Sequence, residues 1–283
     1  MLDFDVIGSQ FRASVKAQPR ITKPEVKKVC VVTDLDAAQS AAFDAKVRPF
    51  LSALEDGTEH VLLGAGDFEG VRGLLGQIEQ HRPDLIVTYR HLFEAEKDLP
   101  FSLGTYADML TQTTTTPVLL VPAPSRPELD AALQNTDRVM VLTDHLVGDD
   151  RLVSWGLRLV ERGGRISLVH VEDEGVFERY LDAISKIPGL DTELARTAIE
   201  RQLLHEAEDF AAAVEKAFAK GHPNVEIRRL VKLGHSLKEV VSIADDREID
   251  LVVINTKDED QLAMAGKAYS IAIELIDKAL LLL

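Results

Sequence analysis

The sequence is poor in cysteine and in basic residues. A single cysteine, Cys30, occurs among 283 residues, which excludes a disulfide framework or a thiolate metal site within the chain. Since Cys30 lies inside an apolar run, it is interpreted as a small buried side chain. The 32 lysines and arginines are outnumbered by 47 aspartates and glutamates, so the net charge is −15. Such a charge repels a phosphate backbone and an anionic membrane surface, and neither nucleic acid nor membrane is expected as a partner.

Long apolar stretches and the common catalytic motifs are also missing. No apolar run approaches the roughly 20 residues that a membrane-spanning helix needs. The segment Met1–Asp5 lacks the basic region and apolar core of a signal peptide, so a cytoplasmic location is expected. The sequence contains no Gly-x-Ser-x-Gly, P-loop or His-Glu-x-x-His pattern. No histidine has a partner at a spacing typical of metal ligands, apart from His205 and Asp209 on a charged helix face. Neither an efficient enzyme nor a metal site is therefore predicted.

What the chain does contain is a repeated unit. Asp84-Leu-Ile-Val begins the first copy and Asp250-Leu-Val-Val begins the second. In both copies a glycine, Gly104 or Gly266, precedes the closing apolar run by 13 positions. An apolar strand, a loop, a helix that starts near a glycine and another apolar strand make up one parallel βαβ unit. A length of 283 residues also suits two domains with a core each.

The repeat divides the chain into two α/β halves. Arg138–Asp144 matches Lys28–Asp34, with an apolar run followed by Thr-Asp in both. The segment Pro122–Pro127, with three prolines in six residues, predicts the linker. The predicted parts are a lead segment (1–26), a first domain of four strands (27–122), a linker (123–135) and a second domain of five strands (136–283) with a long helical insertion (172–221). We refer to residues 27–122 as the first half and to residues 136–283 as the second half.

In an open parallel sheet, ligands bind beyond the carboxyl ends of the strands. Asp34 and Asp144 each follow a first strand, where a carboxylate can accept a hydrogen bond from a ligand or cap the next helix. Gly104 and Thr105 begin the last helix of the first half, where backbone N–H groups can approach a phosphate.

This layout resembles the universal stress protein family, and the duplication is similar to its tandem members. The features that carry the resemblance are the Thr33-Asp34 strand end, the Asp84 strand, and Gly104 ahead of the Pro117-Val-Leu-Leu-Val strand. The resemblance implies two tandem Rossmann-like domains of the adenine nucleotide alpha hydrolase-like type. It also implies that ATP or another adenine nucleotide is a candidate ligand. In nucleotide-binding members, an aspartate at the end of the first strand holds the adenine end of the nucleotide, and a backbone group of the second strand also contacts that end. A Gly-x2-Gly loop and a Gly-Ser or Gly-Thr pair contact the ribose and the phosphates. The residues that match these positions are Asp34, Asp144, Val169, Gly104, Thr105 and Gly266.

The chain departs from that pattern at both phosphate loops. No glycine follows Val87 before Gly104, and the loop after Val253 carries the acidic run Asp258–Asp260. Side chains at such loops deny the close backbone approach that glycine permits. The first half still offers Arg90, with His91 and Thr105, to an anion.

These departures predict a stress-response binding or regulatory protein with a degenerate nucleotide site and an unidentified protein partner. One alternative is a nucleotide sensor or slow ATPase that uses the first half. The other is a binder of a small apolar ligand between the long helices of the second half.

The final strand of each half is apolar on both faces. Val118–Val121 ends the first half and Leu280–Leu283 ends the second. An exposed apolar edge strand is an aggregation hazard. The resemblance also implies pairing through this strand, as in family members. We therefore predict that the two strands pair with each other, so that the halves form an intramolecular pseudo-dimer.

Overall fold

The computed structural model describes residues 19–94, 101–143, 149–189, 191–256 and 266–283, in which strands and helices alternate. The strands are β1 (Lys28–Val32), β2 (Glu59–Leu63), β3 (Leu85–Tyr89), β4 (Val118–Val121), β5 (Arg138–Leu142), β6 (Arg165–Asp173), β7 (Glu226–Gly234), β8 (Leu251–Ile254) and β9 (Ala279–Leu282). The helices are α1 (Ala37–Phe50), α2 (Gly70–His81), α3 (Thr105–Thr113), α4 (Leu129–Ala132), α5 (Asp150–Leu159), α6 (Glu174–Ser185), α7 (Thr192–Gly221), α8 (Ser236–Asp246) and α9 (Gly266–Glu274).

All of these strands belong to a single sheet with the order β2-β1-β3-β4-β9-β8-β5-β6-β7. The order outward from the centre is β4-β3-β1-β2 in the first half and β9-β8-β5-β6-β7 in the second, so the two halves match except for the extra edge strand β7. Neighbouring strands are parallel within each half. The predicted α/β class with Rossmann-like parallel strands is confirmed, and the two parallel sheets join into one.

The joint between the halves is the predicted pair of final strands. β4 and β9 are antiparallel, with Leu119 opposite Leu281 and Leu120 opposite Leu280. All four of these leucines are fully buried, and burying one leucine side chain is worth roughly 1.5–3 kcal/mol. Core residues of both halves consequently form one continuous hydrophobic cluster.

The aspartate that begins each repeated strand has a structural role. Asp84 Oδ2 accepts the backbone N–H groups of Lys27 and Lys28 at 2.8 and 3.0 Å. In the second half, Asp250 Oδ2 accepts the N–H of Arg138 at 2.9 Å. Each carboxylate therefore links the start of its own strand to the start of the neighbouring parallel strand. This contact fixes the register of β3 on β1 and of β8 on β5.

Three segments outside the repeats are also placed by the structure. Residues 20 and 22 contact α5, where the N–H groups of Arg20 and Thr22 donate to Asp150 at 2.7 Å and Ser154 at 3.2 Å. Residues 1–18 of the predicted lead segment lie outside the described residues. The predicted linker contains α4 and buries Leu129. The predicted helical insertion corresponds to α6 and α7. Among the helices of the described ranges, none is long and apolar enough to cross a membrane.

Candidate functional site

A cleft of about 250 Å³ lies at the carboxyl edge of the first half. It is formed where β1 and β3 end and where the chain leaves β4, which is the edge at which parallel sheets bind ligands. Its lining includes Asp34, Arg90, Glu94 and the proline-rich segment that follows β4. Two of the predicted site residues, Asp34 and Arg90, are thus brought together.

The Asp34 carboxylate is bound by the chain itself. Its Oδ1 accepts a short hydrogen bond from the Tyr89 hydroxyl, and its Oδ2 accepts the N–H of Phe93 at 2.9 Å. The Asp34 N–H also donates to the Tyr89 oxygen at 3.1 Å. Burial, followed by the hydrogen bond to Asp34, raises the pKa of Tyr89 well above its ordinary value. Tyr89 therefore stays protonated and donates a hydrogen bond to Asp34.

The loop after β3 folds back over the cleft in a strained conformation. His91 and Phe93 have φ angles of 60° and 59°, in the left-handed region, which costs roughly 1–3 kcal/mol at each residue. The loop is held by a bond from His91 N–H to Leu103 O at 3.0 Å and by the burial of Leu92. The Phe93 ring also packs on Tyr106, with 5.3 Å between ring centroids.

This loop brings Glu94 to the start of α3. Glu94 Oε2 accepts the N–H of Thr105 at 3.0 Å, which satisfies one of the unpaired N–H groups of the helix. A carboxylate there is also favoured by the positive end of the helix dipole, by about 0.3–1 kcal/mol. The Thr105 side chain is exposed. The place where a helix N-terminus would hold a phosphate is therefore occupied by the chain's own carboxylate.

Gly104 makes room for this arrangement. Its φ of 87° and ψ of 152° belong to a region that is essentially restricted to glycine. A Cβ at this position would lie 2.8 Å from Glu94 Oε2 and 2.8 Å from the His91 backbone. The space that a Cβ of residue 104 would take is therefore filled by His91 and Glu94.

Arg90 points to the second half. Its guanidinium is buried and donates to the carbonyls of Ala272 at 2.6 Å, Leu275 at 3.2 Å and Ile276 at 3.5 Å. These carbonyls belong to the C-terminal end of α9 and the turn after it, where a cation is stabilised by the helix dipole. Arg90 therefore links the first-half cleft to α9. The sequence had suggested instead that Arg90 binds an anion.

The corresponding region of the second half is only partly described. Asp144 and the acidic run 258–260 lie outside the described residues. Val169 is buried in β6, and its carbonyl accepts the N–H of Thr143 at 3.0 Å. Gly266 is exposed at the start of α9. The structure does not bring Val169 and Gly266 into the first-half cleft.

Sequence reasoning did not identify Tyr89, Phe93 and Glu94 as site residues. All three are in the segment after Val87, which was noted for its lack of glycine and for Arg90 and His91. The absence of glycine was itself the available signal, because a loop with bulky side chains needs partners of its own. No local pattern shows that Glu94 reaches Thr105, since that contact depends on the two left-handed residues between β3 and Glu94.

Comparisons with known proteins found a family model that matches part of the chain and solved structures with a similar fold. Residues 135–266 match the model of the universal stress protein family. A universal stress protein from Archaeoglobus fulgidus DSM 4304 has a similar fold, with 15% identity and a TM-score of 0.50 over 91% of this chain and 85% of that one. A functionally unknown protein from Pseudomonas aeruginosa PAO1 is similar at 10% identity and a TM-score of 0.53, over 91% of this chain and 92% of that one. No curated protein matches the sequence. The chain therefore contains a segment, residues 135–266, that matches the universal stress protein family, within a fold that a universal stress protein shares.

Proposed function

We propose that this chain is a tandem universal stress protein that acts as a stress-response binding or regulatory protein, with a nucleotide site in the first half that its own carboxylates close. The observation that carries the proposal is the Glu94 carboxylate on the N-terminus of α3. The proposed protein is cytoplasmic, is not an efficient enzyme, and acts through a protein partner.

The sheet order supports a tandem origin of the two halves. Four strands of each half follow the same order from the central joint, and each half ends on the strand that forms this joint. Asp84 and Asp250 also make the same contact to the start of the first strand in their half. The first half is accordingly a shortened copy that lacks the counterpart of β7.

The contacts at both ends of the first-half site support its closure. At the phosphate end, a ligand must displace Glu94 from α3 and then lie beside its negative charge. At the adenine end, a ligand must break the bonds of Asp34 to Tyr89 and Phe93. A hydrogen bond to a charged group contributes about 1.5–3 kcal/mol, so each displacement lowers ligand affinity substantially.

Titration of the full chain with Mg-ATP in a calorimeter tests the proposal. The wild-type protein should bind ATP with a Kd weaker than about 1 mM, which corresponds to less than roughly 4 kcal/mol of binding free energy. Glu94→Ala removes the competing carboxylate and should bind at least about tenfold more tightly, since tenfold corresponds to about 1.4 kcal/mol.

Glu69→Ala is the matched control, because Glu69 is an exposed acid at the start of α2 in the same half and makes no capping hydrogen bond with its side chain. This substitution should leave ATP affinity unchanged. Micromolar binding by the wild-type protein, with the same affinity in Glu94→Ala, would show an open site and favour the nucleotide sensor or slow ATPase.

A further inference from the structure

A second cleft, of about 530 Å³, opens at the opposite edge of the sheet in the second half. It lies at the amino ends of β5, β6 and β7, away from the carboxyl edge where this type of fold normally binds ligands. Its volume is within the range of small-molecule sites. Its lining contains four arginines and four acids, in a chain whose net charge is −15: Arg138, Arg165, Arg228 and Arg247, with Asp137, Glu226, Asp246 and Glu248.

Two of these arginines share one carboxylate. Glu226 accepts from Arg165 Nε at 3.1 Å and from Arg228 Nε at 2.7 Å. The three groups together carry one net positive charge. A guanidinium has five N–H donors, and these contacts use only the Nε donor of each arginine. The β6–β7 side of the cleft therefore has both positive charge and donors for a further acceptor.

Arg247 adds a third cation. It is half-buried at the C-terminal end of α8 and lines the same cleft. Within the ranges that the structure describes, no acidic group forms an ion pair with its guanidinium. Removing this charge consequently leaves no described carboxylate without its partner.

The β5–β8 side of the cleft has the opposite character. Arg138 is surrounded by Glu248 at 2.5 Å, Asp137 at 3.3 Å and Asp250 at 3.7 Å. Burial and the Asp137 carboxylate raise the pKa of Asp250 to about 7, although Arg138 acts in the other direction. Since acids outnumber the one cation here, an anionic ligand is directed away from Arg138 and toward Arg165, Arg228 and Arg247.

We propose that this cleft binds a small oxyanion, a phosphate or a carboxylate, through Arg165, Arg228 and Arg247. The planar guanidinium matches two oxygens of either group in a bidentate contact. A small ligand is favoured because the net negative charge of the chain repels large polyanions. The site is separate from the first-half nucleotide position, so failure of either proposal leaves the other standing.

Binding is measured on the full chain by calorimetry and by thermal denaturation, with inorganic phosphate and with succinate as probes. Sodium chloride keeps the ionic strength constant, because screening alone would otherwise change the result. At least one probe should bind saturably and raise the Tm. Saturation by phosphate, by succinate or by both supports the site and identifies the group it accepts, whereas saturation by neither overturns the proposal.

Arg247→Gln is the main test variant and should weaken binding at least about tenfold, the equivalent of losing one charged contact of roughly 1.4 kcal/mol. Arg229→Gln is the control, since Arg229 is the next residue along β7 after Arg228 but is bonded to Glu215 at 2.9 Å and is absent from the cleft lining. This control should bind as the wild-type protein does. Equal weakening in both variants would assign the effect to overall charge and overturn the proposed site.

Discussion

Asp34, Asp84, Glu94 and Asp250 each accept at least one backbone N–H group of this chain. In the first-half cleft, Asp34 and Glu94 thereby link the loop after β3 to the end of β1 and to the start of α3. At the strand starts, the same chemistry links neighbouring strands. These carboxylates therefore hold backbone segments together, a role that the sequence motifs alone do not indicate.

Asp250 provides a pH test at the residue scale. Its pKa is raised to about 7 by burial and Asp137, above the ordinary aspartate value of about 4. Between about pH 4 and pH 7 the folded state therefore binds more protons than the unfolded state, and the free energy of unfolding falls as pH rises through this window. Asp250→Asn cannot lose a proton, so its stability lacks this pH dependence. The free energy of unfolding of the variant, relative to that of the wild-type protein, should therefore rise by on the order of 2 kcal/mol from pH 5 to pH 8.

Urea denaturation at pH 5 and pH 8 measures this difference. Asp137→Asn removes the carboxylate that helps to raise the Asp250 pKa. This variant should therefore also show a weaker pH dependence of the free energy of unfolding than the wild-type protein. Parallel stability profiles for the wild-type protein and Asp250→Asn would contradict the prediction.

At the scale of elements, the loop after β3 connects three parts of the structure. Arg90 donates to the end of α9, the Phe93 N–H donates to Asp34 just beyond β1, and Glu94 accepts from the start of α3. The strain of two left-handed residues is offset by these contacts and by the buried Leu92. The loop is consequently held from several sides, by its backbone as well as by its side chains.

Gly104→Ala tests how closely this loop packs on α3. The added Cβ would meet His91 backbone atoms and Glu94 at 2.8 Å, on a backbone with φ of 87°. Gly57→Ala is the control, because Gly57 has φ of 97° and no neighbouring atom within 4 Å of an added Cβ. Both variants should lose stability to backbone strain, and Gly104→Ala should lose about 1–3 kcal/mol more through overpacking. Urea denaturation measures the difference, and equal losses would show that the loop does not pack against Gly104.

For the whole molecule, the central antiparallel pair β4–β9 makes one sheet out of two parallel ones. The same pairing protects two apolar strands that would otherwise be open edges. Deleting residues 280–283 should expose β4 and cause aggregation or pairing between first halves, which size-exclusion chromatography with light scattering detects. Leu281→Ile keeps the strand apolar and should have the same oligomeric state as the intact protein. A truncated chain that stays monomeric and melts like the intact protein would show that β9 is not needed at the joint.

Much of the fold could be predicted from the sequence, for local reasons. Apolar runs of strand length, helical spacing of apolar residues and the repeated Asp-Leu strands depend on short-range patterns. The pairing of β4 with β9 was also predictable, because a strand that is apolar on both faces has to be covered. The positions of Asp34 and Gly104 at the carboxyl edge follow from the same order of elements.

The sequence by itself therefore determined the order of the strands and helices, the two-part repeat and the final-strand joint. The tertiary structure alone decided what the candidate site residues contact. Arg90 reaches carbonyls more than 180 positions away in the chain, and Glu94 reaches Thr105 only because two left-handed residues turn the loop back. Likewise, Arg165, Arg228 and Arg247 share a cleft only because β6, β7 and the end of α8 meet at one edge of the sheet. Such contacts depend on the path of the folded backbone, because residues far apart in sequence leave no periodic pattern when they meet.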